Sequence, residues 1–318
     1  MAFEKENKIA VILLGMGGPN NISDIKEFLY NIFSDRNIIK LPGGTLFQKP
    51  FAKLISNLRT KKVQAHYNLI GGNSPLLSWT EAQANNIEFN LKNSFPNLKC
   101  FVGMRYFHPL IEDSITKALS EGFTDFCFLP MYPQFSFGTT GSSFDVIKMT
   151  LRNKNKTNRL LINDFHDNQG YISLLNQYIN NNISESDTLL FSAHSIPQTF
   201  VDDGDPYVEQ TKTTARLAAG KRKYYLSFQS RTGPVKWVGP DTVKEVNRLL
   251  NRNNSNLFIV PISFVCDHLE TLYELDIELK NFVDKKNRAR IKRMPMFNDD
   301  PKFSKILADI IKDRIISL

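Results

Sequence analysis

The sequence contains few cysteines and no long apolar segment. Three of its 318 residues are cysteine, and Cys100, Cys127 and Cys266 lie far apart. An odd number of widely spaced cysteines predicts neither a disulfide framework nor a CxxC metal site, so we expect buried, reduced thiols. No stretch approaches the roughly 20 consecutive apolar residues of a transmembrane helix, and the initial MAFEKENK lacks the apolar core of a signal peptide. These absences predict a cytoplasmic protein.

Composition and charge further restrict the class of protein that this sequence can encode. Hydrophobic residues make up 42% and charged residues 23% of the chain, with 16 glycines and 15 prolines, which excludes disordered and collagen-like proteins. A length of 318 residues predicts about two domains. The net charge of +8 would suit nucleic acid, an anionic membrane or an acidic small molecule. No helix-turn-helix motif or aromatic and basic platform supports nucleic-acid binding, so we expect no nucleic-acid partner.

Short apolar runs alternate with helical stretches, which is the pattern of βαβ units in a parallel sheet. The predicted fold class is α/β, with two similar doubly wound domains. The polar segment Arg152–Arg159 marks the junction, which predicts an N-terminal domain at residues 1–157 and a C-terminal domain at 158–318, the last helix packing back on the first domain. The predicted strands are Ile9–Leu14, Cys100–Met104, Phe126–Met131, Leu160–Ile162, Leu189–Ser192, Tyr224–Phe228 and Leu257–Ile262.

Ligands of open parallel sheets bind at the carboxyl ends of the strands. His194 follows the apolar run Leu189–Ser192 and precedes a proline turn, so we expect its imidazole to project at such an end. Histidine can take up a proton near neutral pH or bind a metal, and a purely structural histidine is the alternative. The glycine-rich segment Gly15–Pro19 lacks the third glycine of a dinucleotide-binding loop and predicts a tight turn without a nucleotide.

The segment Asp267–Glu278 carries a row of acidic residues. If the segment is helical, Glu270, Glu274 and Glu278 are spaced four apart and lie on one face. Like charges at this spacing repel, which destabilises a helix unless a cation or shared protons occupy the row. Histidine together with carboxylates is a ligand set for Fe²⁺, Zn²⁺ or Mn²⁺. A solvated acidic face is the alternative that these residues leave open.

Taken together, these motifs resemble those of the ferrochelatase family, whose members insert ferrous iron into a porphyrin to make haem. The two most specific motifs are Ser192–Pro197 (SAHSIP) and Asp267–Glu274 (DHLETLYE). The resemblance extends over nearly the whole chain. Further matching segments are Leu13–Pro19, Gly71–Pro75, Met104–Tyr106, Tyr132–Ser136, Thr139–Ser142, Gly204–Tyr207 and Phe228–Ser230, together with Trp237.

The resemblance implies a site. The porphyrin would lie in a cleft between the two domains, with His194 facing Glu270 across the ring centre and both residues acting in catalysis and as metal ligands. A partly π-helical segment, a winding associated with functional sites, would carry a proton or metal relay formed by Glu274, Glu278, Asp267 and His268. The implied porphyrin-binding residues are Met16, Arg59, Lys62, Arg105, Tyr106, Tyr132, Ser136, Trp237 and Phe264.

The implied reaction is insertion of Fe²⁺ into protoporphyrin IX to form protohaem, the terminal step of haem biosynthesis, catalysed by a lyase without a tightly bound cofactor. A [2Fe–2S] cluster needs four cysteine ligands. The chain has three cysteines and none in its last 50 residues, so no such cluster is expected. The segment His268–Glu278 favours the protoporphyrin-using branch of the family. Coproporphyrin III as substrate, cobalt insertion into another tetrapyrrole and a non-catalytic porphyrin or haem carrier are the alternatives.

Two segments bear on partners other than the substrates. Phe47–Ile55 mixes aromatic, aliphatic and lysine residues, as a segment that lies in a membrane interface does. This predicts peripheral contact with an anionic membrane at its inner face, and a partly buried amphipathic helix is the alternative. The basic run Lys285–Arg293 would meet anionic lipid or be merely solvated. A homodimer is compatible with the sequence, but no coiled-coil or repeat motif indicates one, so the oligomeric state stays open.

Overall fold

The computed structural model describes residues 3, 6–39, 41, 43–154, 156–233, 235–252 and 254–317. These residues form two compact units. The first unit comprises Met1–Tyr132, Ser136–Asp164 and Asn298–Leu318, and the second comprises Pro133–Phe135 and Phe165–Phe297. Apart from the short segment Pro133–Phe135, the chain therefore leaves the first unit after Asp164 and returns to it at Asn298.

Each unit contains a four-stranded parallel sheet. The first sheet has the order β2-β1-β3-β4 and the second the order β6-β5-β7-β8, so the two sheets share one topology. The predicted fold class, two similar α/β domains, is confirmed. The strands are β1 (Ile9–Gly15), β2 (Leu98–Met104), β3 (Asp125–Pro130), β4 (Asn158–Leu161), β5 (Thr188–His194), β6 (Tyr224–Gln229), β7 (Leu257–Pro261) and β8 (Ile291–Arg293).

Helices flank both sheets. Those with α-helical winding are α1 (Ile25–Ser34), α2 (Gly44–Asn68), α3 (Leu76–Leu91), α4 (Ile111–Ser120), α5 (Ser142–Thr150), α6 (Gln169–Asn182), α7 (Gln198–Asp202), α8 (Tyr207–Ala219), α9 (Thr242–Arg252), α10 (Leu279–Asn281) and α11 (Pro301–Ile316). Within the described ranges, Phe137–Gly141 and Glu270–Glu278 are π-helical, and Ile22–Asp24 and Lys285–Arg290 are 3₁₀ helices. Among the described residues, no helix combines the length and the apolar character needed to cross a bilayer.

The central strands are buried along their whole length, as the unbroken apolar runs predict. Every residue of β1, β3 and β7 is buried. A parallel strand covered on both faces has no solvent side, so it shows continuous apolar sequence instead of alternation. At the carboxyl ends, the register places Gly15 beside Met104 in the first sheet and His194 beside Gln229 in the second. These ends are where the candidate site residues gather.

The glycine-rich segment after β1 forms a tight turn, as expected. Gly17 has a φ of 84°, in the left-handed region that favours glycine. A side chain on Gly18 would place its Cβ 2.5 Å from the Ser74 hydroxyl oxygen, so the close packing of these two segments requires a glycine there. The turn thereby fixes Met16 at the end of the first sheet.

The segment expected to join the domains runs into a strand of the first sheet. The polar residues Arg152–Arg159 lead into β4, which pairs in parallel with β3 from Asp125 opposite Asn158 to Phe128 opposite Leu161. This pairing keeps the chain in the first unit up to Asp164, a few residues beyond the expected boundary at residue 157. The last helix, α11, packs against α3 of the first unit.

Strand β8 was not among the predicted strands. It has only three residues, two of them basic, and it lies at the edge of the second sheet beside β7. Short, charged edge strands protect a sheet from pairing with other chains, and they carry no apolar run that sequence patterning could detect. The basic run Lys285–Arg293 is thus a 3₁₀ helix followed by a strand, and Arg290 donates to the carbonyls of Leu250 and Ser255.

Candidate active site

His194 is the last residue of β5, and its backbone is held from two sides. Its amide donates to the Ser263 hydroxyl at 3.2 Å, and its carbonyl accepts from the Tyr207 hydroxyl at 2.9 Å. Tyr207 begins α8, where the Asp205 side chain accepts from the Tyr207 amide as a helix cap. The strand and the helix cap therefore fix the position from which the imidazole projects.

The row of glutamates lies on a π-helix, and its first member contacts His194 directly. Nδ1 of His194 lies 2.7 Å from Oε2 of Glu270. The two side chains are 37% and 18% exposed, so the pair is partly shielded from water. A hydrogen bond this short leaves no room for a macrocycle between the two groups. The structure places both groups side by side, and their position relative to a bound porphyrin ring stays a prediction.

Ser230, just after β6, lies between two of the glutamates. Its hydroxyl oxygen is 2.7 Å from Oε2 of Glu270 and 2.5 Å from Oε2 of Glu274. Nε2 of Gln229 donates to the Glu270 carbonyl at 3.1 Å and lies 3.4 Å from Oε2 of Glu274, while its Oε1 accepts from Ser192. Ser230 has a φ of 64°, a conformation rare outside glycine that tends to occur at functional sites. The end of β6 thus connects the two carboxylates.

The pKa values of His194, Glu270 and Glu274 are shifted from those of the free side chains. Burial alone would raise the pKa of Glu270, but the neighbouring His194 imidazolium outweighs it and lowers that pKa to about 2. For His194, burial lowers the pKa and the Glu270 charge more than reverses this, so the net shift is upward. Burial and the Glu270 charge raise the pKa of Glu274 to about 8. At neutral pH the site therefore holds an ionised Glu270 next to a neutral Glu274, and the ionised Glu270 favours the protonated form of His194.

His268 is a second imidazole near Glu270. Its Nδ1 lies 3.1 Å from the Cys266 carbonyl, which can only accept a hydrogen bond, so Nδ1 carries a proton. Its Nε2 lies 4.0 Å from Oε1 of Glu270. The Phe264 ring packs on the imidazole with a centroid distance of 4.4 Å. Burial lowers the pKa of His268, which keeps its Nε2 available as a neutral nitrogen ligand.

Asp267 and Glu278, predicted members of the relay, lie at the two ends of this segment. Asp267 forms an ion pair with Arg293, N to O 3.1 Å, and accepts from the Thr271 hydroxyl at 2.9 Å. These bonds engage one of its carboxylate oxygens in holding the helix start. Glu278 lies one turn beyond Glu274, with Oε1 3.5 Å from the Tyr273 hydroxyl.

In the first unit, Arg105 and Tyr106 belong to one buried hydrogen-bonded cluster. Oδ2 of Asp35 accepts from Nη2 of Arg105 and the Tyr106 hydroxyl at 2.7 Å each, and from the Ser142 hydroxyl at 2.8 Å. Nε of Arg105 also donates to Ser142. Tyr106 is 1% exposed. The structure therefore gives the Tyr106 hydroxyl a role in positioning Arg105 and leaves it no surface for direct porphyrin contact.

The remaining predicted porphyrin-binding residues occupy loops and one helix. Met16 is half-buried after β1, and Tyr132 is half-buried after β3. Ser136 is buried, and its hydroxyl accepts from the Gly138 amide at the start of the π-helical turn Phe137–Gly141. Arg59 and Lys62 are exposed on α2, with the Arg59 guanidinium 5.6 Å from the centre of the Phe33 ring. Trp237 is half-buried and donates to the Thr232 carbonyl at 3.0 Å.

Sequence reasoning missed Ser230, Gln229, Asp35 and Arg293 as site residues. Ser230 and Gln229 stand at the end of a predicted strand, and that position is the signal that could have identified them. Asp35 lies 70 residues from Arg105 along the chain, and no local pattern indicates their pairing.

The sequence matches a known protein family over nearly the whole chain. The family model described as Ferrochelatase matches residues 8–315. The chain is 41% identical over 314 residues to the ferrochelatase of Geotalea daltonii, with 96% of this chain and 97% of that one covered. It is 38% identical over 321 residues to the ferrochelatase of Synechocystis sp., with 97% and 83% covered.

A solved structure shares the fold. The sirohydrochlorin chelatase SirB from Bacillus subtilis subspecies spizizenii, in complex with cobalt, matches with a TM-score of 0.57 at 10% identity, covering 98% of this chain and 96% of that one. At this identity the likeness concerns the fold alone. The sequence matches, in contrast, extend over nearly the full length of the chain, and they show that it belongs to the ferrochelatase family, the porphyrin metal chelatases.

Proposed function

We propose that the protein inserts Fe²⁺ into protoporphyrin IX to form protohaem, the terminal step of haem biosynthesis, as a lyase. The observation that supports this most directly is the hydrogen bond between His194 and Glu270, continued through Ser230 to Glu274. Metal insertion replaces the inner N–H protons of the free porphyrin, so the enzyme needs a metal ligand beside a proton acceptor. A partly shielded imidazole and carboxylate pair supplies both.

Each member of the pair has a proposed role. Glu270, ionised at neutral pH, binds Fe²⁺, which as a divalent cation favours a deprotonated oxygen ligand. His194 acts as the general base: it releases its own proton to water, then accepts the two pyrrole protons one after the other and releases each to water in turn. Glu274 and Glu278, further along the π-helix, pass protons or metal to and from the pair. Insertion also requires a puckered ring, and the energy for that distortion comes from contacts elsewhere on the macrocycle.

Porphyrin contacts are proposed for exposed or half-exposed groups. Arg59 and Lys62 on α2 carry the positive charge that would pair with the propionates. Arg105, fixed by Asp35 and 20% exposed, has the same charge. Met16, Tyr132, Trp237 and Phe264 supply apolar surface for the ring. Buried Tyr106 and Ser136 support these contacts by positioning their neighbours.

The reaction as proposed uses no resident cofactor, and the cysteines play no part in it. Cys127 and Cys266 are buried as expected, whereas Cys100 is only half-buried, and burial raises the pKa of all three thiols, that of Cys127 to about 12. A thiol in such a setting is a poor metal ligand, because the ligand is the thiolate.

The test is anaerobic turnover of the purified protein with Fe²⁺, offering protoporphyrin IX and coproporphyrin III separately and following the loss of free-base absorption. We expect insertion into protoporphyrin IX. The His194→Ala variant should bind this porphyrin with nearly unchanged affinity, measured by fluorescence quenching, and insert no metal. Turnover retained in His194→Ala would remove His194 from the mechanism.

The same assay separates the alternatives. Preference for coproporphyrin III would replace the proposed substrate while leaving the chelatase activity in place. Tight binding of both porphyrins without insertion of any divalent metal would indicate a carrier.

The site of action is proposed to be the surface of an anionic membrane, where a poorly soluble porphyrin is available. Helix α2 supports this with exposed apolar side chains next to lysines, and its first half contains Phe47, Phe51 and Leu54. A peripheral enzyme can hold such a helix in the interface without spanning the bilayer.

A further inference from the structure

Arg293 lies between two aspartates that flank the catalytic part of the π-helical segment. Nε and Nη2 of Arg293 donate to the two carboxylate oxygens of Asp276 at 2.9 and 2.8 Å. Nη2 also lies 3.1 Å from Oδ1 of Asp267. Asp267 precedes the π-helix by three residues, and Asp276 lies in its last third. One guanidinium from β8 therefore holds both ends of the stretch that carries Glu270 and Glu274.

The arrangement uses every nitrogen of the guanidinium. Nη1 donates to the Met294 carbonyl at 3.1 Å, in addition to the bonds made by Nε and Nη2. The side chains of Arg293 and Asp267 are 12% and 16% exposed, so their bond is largely shielded from water, whereas the Asp276 side chain is 34% exposed. A bidentate pair of this kind has a geometry that the single ammonium group of lysine does not reproduce.

The clasp, defined as Arg293 with Asp267 and Asp276, connects to the site through hydrogen bonds to the start of the π-helix. The Asp267 oxygen that faces Arg293 also accepts from the Thr271 hydroxyl, and that hydroxyl accepts from the His268 amide at 3.0 Å. Thr271 is fully buried and follows Glu270 directly. A shift of Asp267 would therefore move the turn from which Glu270 reaches His194.

We propose that Arg293 is a positioning residue for metal insertion, which sets the distance between Glu270 and His194 by clasping Asp267 and Asp276. Arg293 contacts neither His194 nor Glu270 within the described structure, and it acts through the backbone of the π-helix. In this arrangement Asp267 serves as an anchor and not as a proton carrier. The proposal rests on the proposed function, since metal insertion is its readout.

The test compares three variants. Arg293→Lys keeps a positive charge and both carboxylates but loses the bidentate geometry. The triple variant Asp267→Asn, Asp276→Asn, Arg293→Gln removes all three charges together, which avoids leaving a buried charge unpaired and so preserves folding. Lys292→Met, an exposed neighbour on the same strand, is the matched control. Each is measured at a temperature where circular dichroism shows a folded protein.

We expect both clasp variants to lose about tenfold or more in kcat and to show a raised KM for the metal, because a displacement of about 1 Å in a catalytic group costs up to about a hundredfold in rate. Their porphyrin Kd should stay within about twofold of the wild type, since Arg293 is not proposed to touch the ring. A residue that only stabilised the fold would leave the kcat and metal KM of the folded fraction unchanged. Lys292→Met should match the wild type.

Three results would contradict either the clasp or the proposed function. Arg293→Lys and the triple variant with wild-type kcat and metal KM would overturn the clasp. A loss of kcat in the triple variant but not in Arg293→Lys would also overturn it, because the missing Asp267 carboxylate would then be the cause. If the wild type itself inserts no metal into any porphyrin, the proposed function fails, a result distinct from failure of the clasp.

Discussion

At the scale of single residues, the Ser230 hydroxyl decides how protons are distributed in the site. It has one proton and lies within hydrogen-bond distance of both Glu270 and Glu274. If it donates to the ionised Glu270, its oxygen must accept from Glu274, which requires a proton on Glu274. The raised pKa of Glu274, about 8, places that proton there at neutral pH. The four groups from Glu274 through Ser230 and Glu270 to His194 therefore form a continuous hydrogen-bonded chain.

This proton has a measurable effect on stability. Between pH 4.5, the ordinary pKa of a glutamate, and about 8, the folded chain keeps a proton on Glu274 that the unfolded chain releases. Because the folded state binds more protons over this interval, rising pH lowers the free energy of unfolding. We expect Glu274→Gln to lose less stability than the wild type between pH 5 and pH 9, roughly the interval set by these two pKa values.

Thermal or urea denaturation at several pH values measures the effect of Glu274→Gln. His194, whose pKa is raised, changes stability in the same direction, so some pH dependence should remain in the variant. Glu278→Gln controls for loss of a carboxylate from the same helix. An identical pH dependence in Glu274→Gln and the wild type would show that Glu274 is ionised in the folded protein at neutral pH.

At the scale of secondary-structure elements, the strands and the helical face that could be predicted are those that local sequence patterns mark. Apolar runs identified the buried strands, and the spacing of Glu270, Glu274 and Glu278 identified one helical face with His194 at a neighbouring strand end. The three-residue strand β8 carries no such run, so the sequence placed Arg293 in a basic segment that would meet anionic lipid or be merely solvated. Partnerships formed only in the folded chain, such as Ser230 with Glu270 across 40 residues, leave no local signal.

The Asp35 cluster joins three elements of the first unit and should contribute strongly to its stability. Asp35 follows α1, Arg105 follows β2, and Ser142 begins α5. The Asp35 side chain is 8% exposed, so Asp35→Asn would leave a largely buried guanidinium without its counter-charge. We expect a loss of about 3–5 kcal/mol in the free energy of unfolding, measured by urea denaturation.

A surface ion pair of the same unit is the control for the Asp35 cluster. Lys99 and Glu121 pair at 2.7 Å, with side chains 43% and 33% exposed. Solvent screening limits such pairs, so Glu121→Gln should lower the free energy of unfolding far less than Asp35→Asn does. Similar costs for Asp35→Asn and Glu121→Gln would mean that the buried cluster does not hold the three elements together.

At the scale of the whole molecule, the positive net charge and the apolar face of α2 are the two features that support the proposed membrane contact. The side chains of Leu46, Phe47, Phe51, Leu54 and Leu58 are exposed, and the last four are spaced for one helical face. Leu58 is 73% exposed, far more than the burial of a core-facing helix would allow. Lys49 and Lys53 are exposed on the same helix, and the chain carries a net charge of +8. An anionic bilayer matches both features, because it offers apolar depth beneath negative headgroups.

We expect the protein to co-sediment with vesicles that contain anionic phospholipid and to co-sediment less with neutral vesicles. High salt should reduce co-sedimentation with anionic vesicles, because screening weakens the charge contribution. Replacing Phe47, Leu54 and Leu58 by serine should weaken partitioning about tenfold or more, since burying even part of one large apolar side chain is worth about 1.4 kcal/mol. Phe89→Ser, at an exposed phenylalanine of α3, is the matched control and should bind vesicles like the wild type. If the triple serine variant binds anionic vesicles as tightly as Phe89→Ser, the α2 face is not the membrane contact, and charge alone accounts for the binding.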